Sequence, residues 1–101
     1  MDRRLSLHQK LVSILGSTNV YFQPPETIKL QHPCIVYERS DIAQTFADNQ
    51  TYLDRVRYSV TLISRTPEND LVNDILALPY CSYDRYYAAD SLSHDAFTIY
   101  Y

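Results

Sequence analysis

The stretch TYLDRVRYSVTLISR, Thr51 to Arg65, alternates along its whole length. Tyr52, Asp54, Val56, Tyr58, Val60 and Leu62 form one set, mostly large and apolar; Leu53, Arg55, Arg57, Ser59, Thr61 and Ile63 form the other, polar through its middle. Successive side chains on a strand point to opposite faces, so the pattern predicts one long strand with a core face and a wetter face. Val, Tyr, Thr and Ile suit a pleated, half-buried surface. Strands typically run about 5–6 residues, so this one is expected to be the central or longest strand of a single sheet.

Upstream, Leu7, Leu11, Ile14 and Leu15 fall on one helical stripe, with Asp2 as a cap, and Gly16 stands where the helix would end left-handed. The spacing predicts a helix over residues 3–15. Residues 19–23 read as a short strand closed by Pro24 and Pro25, which cannot continue a ladder. Cys34 to Glu38 reads as an interior strand, apolar on both faces over its first half. Ser40 to Gln50 is expected to be a long loop, since tight hairpins need only about 2–5 residues. Its Ile42 and Phe46 are apolar residues among polar neighbours, and they either dock on another molecule or fold back on their own sheet.

Downstream, Thr66-Pro67-Glu68 reads as a helix start. Leu71, Val72, Ile75, Leu76 and Leu78 supply its apolar stripe and Pro79 its stop. Tyr80 to Ala88 reads as a strand, residues 89–94 as a turn and Ala96 to Tyr101 as a last strand, with Phe97, Ile99 and Tyr101 on one face. The order helix, strand, strand, strand, helix, strand, strand predicts one α+β domain over residues 1–101. It has a mainly antiparallel sheet of about five strands and two helices packed on one face. The two helical stripes and the Val56/Tyr58/Val60/Leu62 face are expected to meet in one core.

The chain has 101 residues and a formal net charge of −3, which argues against general nucleic-acid binding by phosphate neutralisation. Its charges are mixed along the sequence, without a basic block. No apolar run approaches the roughly 18 residues that span a membrane, and no signal core stands at the N-terminus. A cytoplasmic start, with Cys34 and Cys81 as free thiols, is the expectation. Ten Tyr stand against a single Gly. Tyr-rich surfaces favour protein contact, but Tyr is also a good strand former, and composition leaves both readings open.

Chemistry-bearing patterns are sparse. One Gly nearly excludes a phosphate loop or a nucleophile elbow. His32-x-Cys34 with Cys81 and His94 lacks the tightly paired ligands of a zinc site. Asp84, Asp90 and Asp95 near the last hairpin, and Asp70 and Asp74 one helical turn apart, read as solvated turn and helix acids. Neither an enzyme nor a cofactor or metal is expected. Arg55 and Arg57 stand two residues apart on the wetter face of the long strand. They either hold a neighbouring subunit's carboxylates or keep the sheet soluble. With the Tyr content and the long loop, they favour an assembly protein.

The succession of an amphipathic helix, a short strand, the Pro-led HPCIVYE at residues 32–38, the long alternating strand and a Thr-Pro-Glu helix resembles the tail terminator, or tail completion, proteins of long-tailed bacteriophages. The wording NVYFQPPE at residues 19–26 and HDAFTIYY at residues 94–101 is also similar to phage products labelled minor capsid protein. The resemblance covers nearly the whole chain. It implies a hexameric ring in the virion neck that caps the tail tube, stops its growth and offers a docking surface to the head connector. Genomic DNA would pass through without specific binding. On that implication, Arg55, Arg57, Ile42 and Phe46 are candidates for subunit contact, and Asp41, Asp48 and Asp54 for an acidic channel wall. A head-closure or other head–tail joining protein is the neighbouring reading. A monomeric cytosolic binding domain with a Tyr-rich sheet is a reading of a different class.

Overall fold

Alternation in the long strand, helical stripes and a few chain-breaking residues set the architecture seen in the computed structural model. It describes the backbone of residues 3–47, 50–66 and 70–101, and the side chains of these apart from Arg3 and residues 41–55. Helix α1 spans Arg3–Leu15, strand β1 Val20–Phe22, β2 Cys34–Ala47 and β3 Gln50–Ser64. Helix α2 spans Leu71–Leu76, followed by β4 at Cys81–Ala89 and β5 at Leu92–Tyr100. One five-stranded sheet runs in the order β1-β2-β3-β5-β4. All its pairings are antiparallel except β1 with β2. The α+β class, the element order and the two helices match the sequence reading, and β3 is both the central and the longest strand.

The predicted core forms. Leu7 and Leu11 of α1, Ile75 of α2, Ile35 and Tyr37 of β2, Val60 and Leu62 of β3, and Phe97 and Ile99 of β5 are all 0% exposed. Tyr58 and Val20 complete the cluster. Burying one such large side chain stabilises a fold by about 1.5–3 kcal/mol, so this set supplies most of the driving force. Register explains the alignment: Tyr58 pairs with Ile99, Val60 with Phe97 and Leu62 with Asp95, all presented to the helices. Gly16 ends α1 at φ +77°, its N–H donating to Val12 O at 2.9 Å. An added Cβ would meet nothing within 4 Å there, so backbone conformation alone asks for Gly.

Hydroxyl chemistry ties α1 down. Tyr37 OH and His8 Nδ1 share a hydrogen bond of 2.7 Å, and Tyr37 OH accepts from Arg4 Nη1 at 3.3 Å. The Tyr37 ring packs against Phe22 and Tyr58, and the Arg4 guanidinium lies over Phe22 at 4.5 Å. Burial and then the Arg4 charge push the His8 pKa below its ordinary value, which favours the neutral ring in this contact. In the same turns of the helix, Ser6 Oγ and Tyr101 OH share a 2.7 Å hydrogen bond, and Lys10 Nζ stands over the Tyr101 ring at 5.0 Å. The Ser6 bond, helped by Lys10 and opposed by burial, lowers the Tyr101 pKa.

Three expectations are corrected. Ser40–Gln50 is not a long loop: β2 continues to Ala47 and pairs with β3 as far as Ala47↔Gln50. A stretch without Gly or Pro and with Ile, Thr and Phe is suited to a ladder. Register shifts at Arg39/Asp41 and Ala43/Gln44 bend that ladder. The turn expected over residues 89–94 narrows to Asp90 and Ser91, whose φ values of +53° and +62° make a tight hairpin without Gly. Asp95, expected among the solvated acids, is only 4% exposed, because it lies on the same face of β5 as Phe97 and Ile99. Helix α2 begins at Leu71 behind Asp70, which makes no side-chain cap; Pro67 and Glu68 fall outside the described residues.

Candidate assembly surface

The sheet is unequal along its strands. The β3–β5 ladder closes where Tyr101 N–H donates to Val56 O at 3.0 Å, and β1 covers only Ile35 to Tyr37 of β2. Beyond these points, residues 41–47 and 50–55 pair with each other alone among the described strands. At about 3.3 Å per residue this two-stranded ribbon reaches roughly 20 Å beyond the roofed sheet. The molecule accordingly measures 50 × 24 × 23 Å. Isolated two-stranded ribbons are marginal in water, so such an element gains from a third surface.

Arg57 stands at the ribbon's base, on the face away from the helices, paired in register with Asp41 and with Tyr100. Its Nε donates to Ser40 Oγ at 3.1 Å, and the Ser40 hydroxyl donates back to Arg57 O at 3.0 Å. These bonds pin the stem of the side chain across the β2 bulge. A guanidinium is a planar, permanently charged donor group of the kind that meets carboxylates in forked hydrogen bonds. Asp41, a channel candidate, and Arg57, a contact candidate, are therefore register neighbours on one ribbon. Arg55, Ile42 and Phe46 lie on the ribbon strands, as does Asp54, but the side chains of these residues and of Asp41 fall outside the described ones, and Asp48 falls outside altogether.

A second surface, absent from the sequence reading, lies at the opposite side of the sheet. Strand β4 is an open edge of nine residues, exposed over most of its length. Tyr80, Tyr83 and Tyr86 are 62%, 40% and 46% exposed, whereas Tyr37 and Tyr58 are core residues. Tyrosine thus serves in both the ways its abundance allowed. Tyr83 OH donates to Asp95 Oδ1 at 2.7 Å, and Tyr86 OH and Ser93 Oγ are 3.1 Å apart. Burial and the Asp95 hydrogen bond push the Tyr83 pKa up to about 12. Asp95 Oδ2 is buried with no hydrogen-bond partner. A period-2 reading of HDAFTIYY that included Asp95 would have found this residue on the core face.

The face away from the helices also carries a cleft of about 600 Å³, lined by Lys29, His32, Arg65 and His94 together with Asp90 and apolar Ile63 and Leu92. His94 stacks on Tyr87 at 4.7 Å, its Nδ1 lies 3.2 Å from Leu92 O, and Arg85 covers Tyr87 at 4.8 Å. The four ligands weighed for zinc are divided by the sheet. Cys34 pairs with Ile63 on this face, while Cys81 pairs with Ile99 on the helix side. Among the described residues no three His, Cys, Asp or Glu converge on one point. Burial raises both thiol pKa values to about 11, and the Asp84 charge adds to the rise at Cys81. Among the described residues no helix is long and apolar enough to cross a membrane.

Compared with known proteins, the chain matches no family model, no curated protein and no solved structure.

Proposed function

We propose that this chain is a structural protein of the neck of a long-tailed phage, a subunit of a ring that caps the tail tube and joins it to the head while leaving a channel for DNA. The observation that carries the reading is the two-stranded ribbon of residues 41–47 and 50–55, which leaves the roofed sheet with no other described strand beside it. A ribbon of that kind is suited to completion by another subunit. The resemblance of the chain's succession of elements to tail terminator proteins supplies the biological setting, and the net charge of −3 suits a wall along which DNA slides without specific binding. On this reading the protein has no catalytic centre and no cofactor, a homo-hexamer is the working form, and its partners are tail-tube protein and the head connector.

The experiment adds the purified chain to polymerising tail-tube protein. The reading predicts that tubes stop growing and carry the chain at one end. Tubes of unchanged length with no bound chain contradict it, and attachment to isolated head connectors alone moves the role to head closure.

A further inference from the structure

The end of the sheet opposite the ribbon gathers cations that the sequence scatters. Lys29 and His32 lie in the connection from β1 to β2, Arg65 follows the last residue of β3, and His94 is on β5; all four line the cleft of about 600 Å³. Register brings them together, because Ile63 pairs with Cys34 on one side and with His94 on the other. Gln31 N–H donates to Tyr21 OH at 3.2 Å, which ties the connection down beside the strands. His94 is held as well: its ring stacks on Tyr87, and its Nδ1 donates to Leu92 O, since a carbonyl oxygen only accepts. Lys29 and Arg65 are exposed and make no hydrogen bond or ion pair among the described residues. Asp90, on the hairpin turn, is the one carboxylate among the described lining residues. In a chain of net charge −3, this cleft sets two permanent cations and two imidazoles against one acid.

We propose that the cleft binds a small phosphate monoester, its phosphate held by Arg65 and Lys29 with His32 and His94 beside it, and its organic body over Ile63 and Leu92. A guanidinium and an ammonium meet phosphate oxygens in charge-assisted hydrogen bonds. The donors arrive from the connection, from the end of β3 and from β5. Convergence from separate elements suits a tetrahedral group, with oxygens in several directions, better than a planar carboxylate. Clefts for small ligands measure about 300–1,000 Å³ and combine apolar walls with a few polar groups. This one is larger than a bare phosphate needs, and Leu30, Ile63 and Leu92 are there to cover an apolar body. The two imidazoles are the only aromatic rings among the described lining residues, whereas grooves for single-stranded nucleic acid use successive aromatic faces. The site stands at the far end of β3 from the ribbon, so its occupancy does not depend on assembly.

The test is isothermal titration calorimetry of the full chain with phenyl phosphate at fixed pH and ionic strength, with inorganic phosphate, benzoate and a single-stranded oligothymidylate as comparison probes. Phenyl phosphate is expected to bind saturably, one per chain, and more tightly than inorganic phosphate or benzoate. Arg65→Gln and Lys29→Gln alter exposed side chains, and circular dichroism confirms that each variant folds. Each is expected to weaken binding by about tenfold. Asp90→Asn is expected to tighten it by about two- to fivefold, because the acid facing the anion is removed. Absence of saturable phenyl phosphate binding overturns the inference, as does binding that Arg65→Gln and Lys29→Gln leave unchanged. Weaker binding in Asp90→Asn overturns it too. Benzoate or the oligothymidylate binding as tightly as phenyl phosphate overturns the assignment to a phosphate monoester.

Discussion

The roofed part of the sheet and the ribbon that leaves it are built from the same two strands and behave as opposites. From Val56 to Ser64, β3 is flanked by β2 and β5 and covered by α1 and α2, and its Val60 and Leu62 are fully buried. From Gln50 to Arg55 the same strand has one neighbouring strand among the described residues. The difference teaches that strand propensity and burial are separate requirements. Alternation carries the ladder as far as Ala47↔Gln50, whereas stability is concentrated where helices and a third strand supply apolar partners.

Perturbing the roofed part should have the largest effect. Phe97, 0% exposed and in edge contact with Tyr83, belongs to the core cluster that includes Leu7 and Leu11 of α1 and Ile75 of α2. Phe97→Ala should cost about 3–5 kcal/mol, read as a lower midpoint in urea unfolding. Replacing residues 44–54 by Asn-Gly, which joins the Ala43↔Arg55 pair by a tight turn, should instead change stability by less than about 1 kcal/mol. The same replacement should abolish assembly. If the shortened chain is as destabilised as Phe97→Ala, the contrast between the two regions fails.

A smaller effect sharpens the account of the helix–sheet contact. His8 has a folded-state pKa below its unfolded value, so between the two the unfolded chain binds more protons and stability rises with pH. That stability is present above the unfolded pKa and is lost as pH falls from about 6.5 towards the folded value. Thermal unfolding should therefore show a drop in Tm between about pH 7 and pH 5 that is reduced in His8→Asn. An equal drop in both proteins would mean that His8 is not protonation-sensitive in this contact. Smallest of all is the expectation for the thiols. With pKa values raised to about 11, Cys34 and Cys81 should alkylate slowly near neutral pH and at the ordinary rate once the chain is unfolded.

Much of this fold was legible in the sequence, and for identifiable reasons. The stripe of Leu7 and Leu11, the Gly16 stop and the Tyr58/Val60/Leu62 face are periodic signals long enough to outweigh local noise. The ribbon was misread because Asp41, Gln44 and Thr45 suggested a polar loop, although polar residues are compatible with a strand that no helix covers. The turn of the last hairpin was drawn too wide because Asp90 and Ser91 adopt the left-handed conformation usually assigned to Gly. For the candidate surfaces, Arg57 could be assigned a face from alternation alone. The β4 edge could not, since its exposure follows from strand order, and β4 and β5 are exchanged in space relative to the sequence.

The central claim is that the ribbon is completed by another copy of the chain, and solution mass measures it most directly. Sedimentation should show the unaltered chain in a species several times its 11.8 kDa monomer mass. The chain shortened across residues 44–54 should stay monomeric at the same concentration. Equal masses for the two proteins, whether both monomeric or both assembled, would contradict the account.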